Sequence, residues 1–146
     1  MQNIEETKNF GAFIDRTLRI IRLDLGKRLK QVNVDITPEQ WMILSSLYGN
    51  NGQSQTELCN DSFKNAPTVS RIIDLLSKKG YTERQRFEND RRSYKIFLTE
   101  EGKTVVEQAS PAIIAARSKG WTDLSDEDYD GFIKVLNNIF DNLSEE

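Results

Sequence analysis

The segment APTVSRIIDLLSKKGYTER, residues 66–84, carries the pattern of a helix, its end and the beginning of a strand. Its apolar side chains recur at steps of three and four, which predicts a helix with one buried face. A proline lies in the first turn, where it is tolerated, and Gly80 follows two lysines that suit a helix C-terminus. We predict a helix that opens at residues 65–68, ends at Gly80 and buries four side chains, namely Val69, Ile72, Ile73 and Leu76.

Two extended segments follow this helix, near residues 81–87 and 93–98. In the second, Tyr94, Ile96 and Leu98 occupy every other position, which is the period of a hairpin strand. The connection ENDRR, residues 88–92, is mostly charged. The pattern therefore predicts a β-hairpin with a charged tip.

Two further helices are predicted before this segment. Residues 37–40, TPEQ, combine a capping threonine, a proline at the first helical position and a glutamine that can complete a capping box. They predict a helix from Pro38 to about Tyr48, and a shorter helix should cover residues 55–62 with Ser54 as its cap. Helix, short helix, helix and hairpin is the order of a winged helix-turn-helix. The side chains predicted to face inward are Trp41, Leu44, Leu47, Tyr48, Leu58 and Cys59.

Both ends of the chain carry amphipathic helix patterns. Residues 6–32 predict one long helix, and residues 100–146 predict a helix capped by Thr99 and a last helix that starts at Ser125. The predicted fold class is mainly α with a small β-hairpin wing, an α+β arrangement in one domain, with residues 36–98 as its winged helix-turn-helix lobe. The end helices either pack on the core or join two copies of the chain. The stripe of the first helix comprises Phe10, Ile14, Leu18, Ile21, Leu25, Leu29 and Val32.

The composition argues against most kinds of active site. The chain has one cysteine and no histidine among 146 residues, so histidine-based metal sites and catalytic triads are unavailable within one chain. We expect no cofactor, no metal and no catalytic group, and carboxylates such as Asp126 and Asp128 suit a helix start better than catalysis. The N-terminus lacks a signal-peptide pattern and no apolar run is long enough to cross a membrane. The expectation is a cytoplasmic protein that is not an enzyme.

Charge is distributed unevenly along the chain. The net charge is −3, but residues 64–98 carry +5, whereas residues 1–63 carry −1 and residues 99–146 carry −7. A nucleic-acid site on an acidic protein would produce this pattern, and so would a solvated basic face. Short polar side chains and one arginine on the outer side of the predicted helix likewise suit base edges or plain solvent. These outer residues are Thr68, Ser70 and Arg71.

Together these motifs resemble the MarR family, the bacterial regulators named for multiple antibiotic resistance. The resemblance covers residues 36 to about 106, through ITPEQWMIL (36–44), QTEL (55–58), APTVSRIIDLLSKKGYTER (66–84) and DRRSYKIFLTEEG (90–102). The flanking helices agree in pattern only. The resemblance implies a homodimeric winged helix-turn-helix protein, usually a repressor, that binds near-palindromic double-stranded DNA and often releases it when a small molecule binds.

The resemblance also implies roles for individual residues. Residues 66–79 would form the recognition helix. The family's Asp-x-Arg wing motif falls on Asp90 and Arg92, so that the arginine enters the minor groove and the aspartate orders it. Arg91 would contact phosphate, and Arg84 would either steady the base of the hairpin or contact phosphate. The residues implied at the DNA-contacting end of the recognition helix are Pro67, Thr68, Ser70 and Arg71.

Two further predictions concern small molecules and redox chemistry. Pockets of the family tend to lie between the dimer helices and the DNA-binding lobe, which implies a candidate effector pocket at Phe13, Arg16 and Trp41 for a small aromatic or amphipathic molecule. Each of these residues also has a plain role in the core or on the surface. Cys59 takes a small-residue position in the short helix, so we expect an inert buried thiol.

A winged-helix module that binds protein and not DNA is the main alternative function. The net charge of −3 and the acidic C-terminal third are compatible with it. Absence of DNA binding at low salt, together with capture of a protein partner, would favour this alternative.

Overall fold

The predicted elements form in the expected order in a computed structural model of the protein, which describes residues 1, 3–87 and 90–144. The side chains of residues 87 and 90–93 are outside this description. The chain divides into two compact units, residues 1–116 and 117–146. In chain order the elements are a 3-10 turn (Ile4–Glu6), α1 (Phe10–Gln31), α2 (Pro38–Gly49), α3 (Gln55–Ser62), α4 (Ala66–Lys78), β1 (Thr82–Phe87), β2 (Asp90–Leu98), α5 (Glu100–Gly120) and α6 (Asp126–Ser144).

The helix starts follow local capping chemistry. The capping box predicted for α2 is confirmed, because the Gln40 amide donates to Thr37 Oγ1 at 3.2 Å and the Thr37 amide donates to Gln40 Oε1 at 3.1 Å. Ser54 caps α3 as predicted, since its hydroxyl accepts from the Glu57 amide at 3.1 Å. The predicted start of the first helix at residue 6 is wrong. Asn9 caps α1 by accepting from the Ala12 amide at 3.3 Å, so the helix begins at Phe10.

The core of the first unit collects the inward faces of α2, α3, α4 and α5 with one face of β2 and Leu29 of α1. The four side chains predicted to be buried in α4 are all buried, and Leu58 of α3 is fully enclosed. The prediction for Tyr48 is wrong, because this side chain is 49% exposed and its hydroxyl donates to Glu107 Oε1 at 3.2 Å. Tyr48 lies in the last turn of α2, where the phenol can keep a polar partner. Ile43 is buried in α2 although the prediction omitted it.

The hairpin is antiparallel and is tied to the end of α2. Arg84 pairs with Ile96 and Arg86 with Tyr94, and β2 begins at Asp90, earlier than the predicted residue 93. Gln53 forms an additional bridge, because its backbone amide donates to Ile96 O at 3.2 Å and its carbonyl accepts from the Ile96 amide at 2.7 Å. The buried Gln53 side chain then donates to backbone carbonyls at the end of α2. This contact fixes the base of the hairpin against the helical part of the lobe.

The junction between the hairpin and α5 is closely packed. Thr99 caps α5 as predicted, because its Oγ1 accepts from the Gly102 amide at 3.0 Å. The Thr99 amide donates to the carbonyl oxygen of Tyr81 at 3.1 Å. Burial raises the pKa of the Tyr81 hydroxyl, and the nearby carboxylates of Asp35 and Glu101 raise it further. The backbone that leaves α4 is therefore held against the first turn of α5.

The two end regions expose much of their apolar surface. In α1 only Leu29 is buried, whereas Phe10, Ile14, Leu18 and Ile21 are 40% to 54% exposed. In the second unit, several apolar side chains of α6 are exposed, and Trp121 meets Tyr129 edge-on at a ring-centroid distance of 5.7 Å. None of the helices in the described part of the chain combines the length and the hydropathy of a membrane-spanning segment.

Candidate nucleic-acid interface

The N-terminal end of α4 presents the residues that the sequence predicted for DNA contact. The Asn65 side chain caps this helix by accepting from the Thr68 amide at 2.9 Å. Pro67 and Arg71 are exposed, while Thr68 and Ser70 are partly covered. The opposite face of α4 lies in the core, so the helix cannot rotate without losing that packing. Pro67 and Arg71 are therefore held on the outside, and their contact with DNA stays a prediction.

Arg71 is not a free side chain in this structure. One guanidinium nitrogen of Arg71 lies 3.3 Å from Glu39 Oε2 at the start of α2. Both side chains keep substantial exposure, so water screens the pair and its contribution to stability is small. The pair nevertheless gives the guanidinium a preferred position beside α2. This partner could not be predicted from the sequence, because the two residues are 32 positions apart.

Arg84 joins the hairpin to α4. Its guanidinium donates to Asp74 Oδ1 at 2.6 Å, between β1 and the outer side of α4. The contact joins β1 to α4. The two roles that the resemblance implied for Arg84, support of the hairpin base and contact with phosphate, stay predictions.

A second arginine on β1 has an aromatic partner that the sequence analysis did not identify. The Arg86 guanidinium donates to the Tyr94 hydroxyl at 2.8 Å, and Arg86 Cζ lies 5.2 Å from the Tyr94 ring centroid. The two residues are directly opposite in the hairpin register. Cross-strand pairing of an arginine with an aromatic ring was the available signal. The pair orders a cation on the exposed surface of the hairpin.

The wing tip itself carries three predicted site residues. The backbone of Asp90, Arg91 and Arg92 lies at the start of β2. Their side chains lie outside the described part of the structure. The proposed support of Arg92 by Asp90, and the phosphate contact of Arg91, stay predictions.

The turn between α3 and α4 is fixed by polar contacts. The Gln55 side chain donates to the carbonyl oxygen of Ala66 at 3.1 Å, which joins the starts of the two helices. Ser62 is buried and its hydroxyl donates to the carbonyl oxygen of Leu58 at 2.6 Å. Phe63 then ends α3 in the left-handed conformation, with a φ of 58°. These hydrogen bonds hold the turn in one conformation. The exposed Phe63 was not among the predicted site residues.

Two of the three residues of the candidate effector pocket are in contact with each other, and the third lies in the core. Phe13 and Arg16 meet on α1, with Arg16 Cζ 4.9 Å from the ring centroid, whereas Trp41 belongs to the buried core. A cavity of about 540 Å³ lies instead between α1, the start of α2 and α4, and none of the three lines it. Its lining includes Arg71 and Glu39. The effector site stays a prediction.

Within residues 1, 3–87 and 90–144, no group of three or more His, Cys, Asp or Glu side chains could hold a metal ion. Cys59 is a free thiol that is partly covered and packs against the core. The prediction that Cys59 is buried is therefore confirmed only in part.

Comparison with known proteins agrees with this geometry. The MarR family model matches residues 36–94. The HTH-type transcriptional repressor YetL of Bacillus subtilis is 35% identical over 91 residues, which are 62% of this chain and 54% of that protein. The match thus spans about half the length of this relative.

Solved structures extend the similarity of fold beyond the matched segment. A MarR transcriptional regulator from Methanosarcina mazei is 28% identical, with a TM-score of 0.71 over 90% of this chain and 94% of its own. The S. aureus MepR–DNA complex is 22% identical and has a TM-score of 0.81 over 93% of this chain and 99% of its own, which shows the fold. The chain is a winged helix-turn-helix protein. Its residues 36–94 are similar to the MarR family, and 91 of its residues are similar to one transcriptional repressor.

Proposed function

We propose that this chain is a sequence-specific, double-stranded-DNA-binding transcriptional regulator that acts as a homodimeric repressor. The observation that carries the proposal is the N-terminal end of α4, whose outer residues are held outward by a buried inner face. The same helix is joined through Asp74 to a hairpin rich in arginine. The segment of residues 64–98 carries +5 on a protein of net charge −3, which suits phosphate contact at this surface alone. The name of the B. subtilis relative, a transcriptional repressor, supports the direction of regulation.

The homodimer part of the proposal rests on the exposed apolar stripe of α1. Monomeric soluble proteins rarely leave a contiguous row of large apolar side chains in water, and a second copy is the simplest cover. Two copies would also present two α4 helices to two half-sites about one helical turn of DNA apart.

We expect the parent to sediment at twice its chain mass of 16.8 kDa and Ile14→Glu to sediment at about the single-chain mass. The substitution places a charge in the middle of the α1 stripe, where a dimer would have to bury it. Ala12→Glu, about 160° around the helix from Ile14, is the control that should leave the mass unchanged. A parent that sediments as a monomer at micromolar concentration would contradict the dimer.

The effector part of the proposal rests on the cavity between α1, α2 and α4. Its volume of about 540 Å³ is in the range that holds a small molecule. Arg71 lines this cavity and also lies at the predicted DNA-contacting end of α4. An amphipathic effector with an anionic group could compete with Glu39 for Arg71 and so move this guanidinium. Relief of repression would follow from the displaced arginine.

DNA binding is tested with Arg92→Ala. We expect the parent to enrich a near-palindromic sequence from a random pool of 30-bp duplexes, with an affinity that falls steeply as salt rises. Arg92→Ala should lower affinity about tenfold for the enriched duplex and for unselected duplexes alike, because a wing arginine contacts shape and charge more than base identity. Ser70→Ala should instead change the enriched sequence. Fluorescence anisotropy measures both effects.

Arg117→Ala is the matched control, because it removes the same charge from the acidic C-terminal segment. It should bind DNA as the parent does. Equal affinity of Arg92→Ala and the parent would remove the wing assignment. Absence of any enriched sequence, with capture of a protein partner, would favour the protein-interaction module.

A further inference from the structure

Phe63 is an aromatic side chain in an unusual position. It ends α3 and is 94% exposed, more than any other aromatic side chain that the structure describes. Its backbone is left-handed, with φ 58° and ψ 30°. Helices usually end in this conformation with glycine or asparagine, because a larger side chain crowds the backbone there. A bulky apolar residue at this place is unfavourable in both conformation and hydration.

The turn around Phe63 is held on both sides. The Phe63 and Lys64 amides both donate to the carbonyl oxygen of Cys59, the latter at 3.2 Å. Before Phe63, the buried Ser62 donates its hydroxyl to the carbonyl oxygen of Leu58. After it, the Asn65 side chain caps α4. The phenyl ring therefore projects from a fixed backbone, although no described side chain covers it.

The place of Phe63 relates it to the DNA-contacting end of α4. It lies two residues before Asn65, so the two Cα atoms are at most about 7.6 Å apart. In helix-turn-helix complexes the N-terminal residues of the recognition helix approach base edges in the major groove. If α4 enters the groove in this way, the preceding turn enters with it. The ring would then leave water as DNA binds.

We infer that Phe63 determines sequence specificity by packing against the C5-methyl group of a thymine in the major groove. The inference rests on the proposed DNA-binding function. Phenylalanine has no hydrogen-bond donor and no charge, so phosphate gives it no favourable partner. Among the major-groove edges, the thymine methyl is the apolar group, and phenylalanine contacts suit it. An exposed ring on a rigid turn loses little conformational freedom in making this contact.

Deoxyuridine provides a direct test, because it differs from thymidine only by the absent methyl group. The parent first selects a site from a random pool of 30-bp duplexes, and each thymine of the selected site is then replaced in turn by deoxyuridine. We expect one replacement in each half-site to weaken binding by the parent about fivefold, which is the scale of one buried methyl group. Phe63→Ala removes the ring from both copies of the dimer, so it should bind the thymine duplex about 25-fold more weakly, and it should not respond to the same replacement.

Two further variants separate this role from others. Lys64→Ala, the adjacent control, should weaken binding to all duplexes alike and should keep the response to deoxyuridine. Phe63→Asn should raise the melting temperature by a few degrees, because asparagine tolerates the left-handed conformation, and should lose the response to deoxyuridine. If Phe63 stabilised the fold instead, Phe63→Asn would lower the melting temperature and would keep the response to deoxyuridine.

The possible failures are distinguishable. If the parent selects no sequence, the proposed function is overturned and the inference falls with it. If the parent selects a site and Phe63→Ala keeps the response to deoxyuridine, the inference alone is overturned. A Phe63→Ala chain that changes from dimer to monomer would also overturn it, because the ring would then serve contact between copies.

Discussion

The Gly102→Ala variant is expected not to reach the parent structure. A Cβ atom on Gly102 would lie 2.1 Å from the carbonyl oxygen of Tyr81 and 3.1 Å from Leu98 Cδ2. The obstructing group is backbone, and its oxygen also accepts the hydrogen bond from the Thr99 amide at 3.1 Å. It cannot retreat unless the junction between β1 and α5 opens.

We expect Gly102→Ala to lower the free energy of unfolding by more than about 4 kcal/mol, a large part of the total for a domain of this size. Circular dichroism during heating and in urea measures the loss. Gly49→Ala is the matched control, because a Cβ at Gly49 meets nothing within 4 Å. It should melt at or above the parent temperature, since alanine favours helix. Similar melting of the two variants would show that the close approach at Gly102 is absent in solution.

Leu58→Ala is expected to have the second largest effect, a loss of about 3 kcal/mol in the free energy of unfolding. The side chain is fully buried, and in the eight-residue helix α3 its only buried companion is the polar Ser62. Removing it leaves a cavity and releases the apolar attachment of α3 to the lobe. Because Gln55 at the start of α3 donates to Ala66, the position of α4 should loosen as well. DNA affinity should therefore fall together with stability.

Leu75→Ala is the control for Leu58→Ala, because it makes the same truncation at a more exposed position. Leu75 of α4 is 37% exposed, so the same truncation should cost less than about 1 kcal/mol. Urea unfolding, followed by the fluorescence of the buried Trp41, compares the two variants. Equal losses of unfolding free energy in the two variants would contradict the conclusion that Leu58 provides the main apolar contact between α3 and the lobe.

Much of the fold was predictable because it depends on local chemistry. Thr37, Ser54 and Thr99 act as caps through backbone groups three residues away, and such contacts are visible in the sequence. The buried face of α4 follows from helical periodicity, and the hairpin follows from alternation. The error at Tyr48 has a different origin. Periodicity predicts which face of a helix is buried, but it does not predict at which residue the packing against that face ends.

Contacts between distant positions were not predictable in the same way. Gln53 looks like an ordinary loop residue, but it is buried and bridges to Ile96. The Arg71–Glu39 and Arg84–Asp74 pairs join different elements, and their partners depend on how those elements pack. No spacing rule identifies such pairs, because their geometry exists only after the chain has folded.

Local sequence features were enough to predict the helices, the hairpin, their order and the basic character of residues 64–98, since propensity, capping and charge are properties of neighbouring residues. The folded arrangement was needed to see which outer side chains already have partners, where a Cβ atom cannot fit, and that Phe63 projects uncovered beside the start of α4. These features depend on the packing of elements that are far apart in the chain. They also bear most directly on how the protein would recognise DNA.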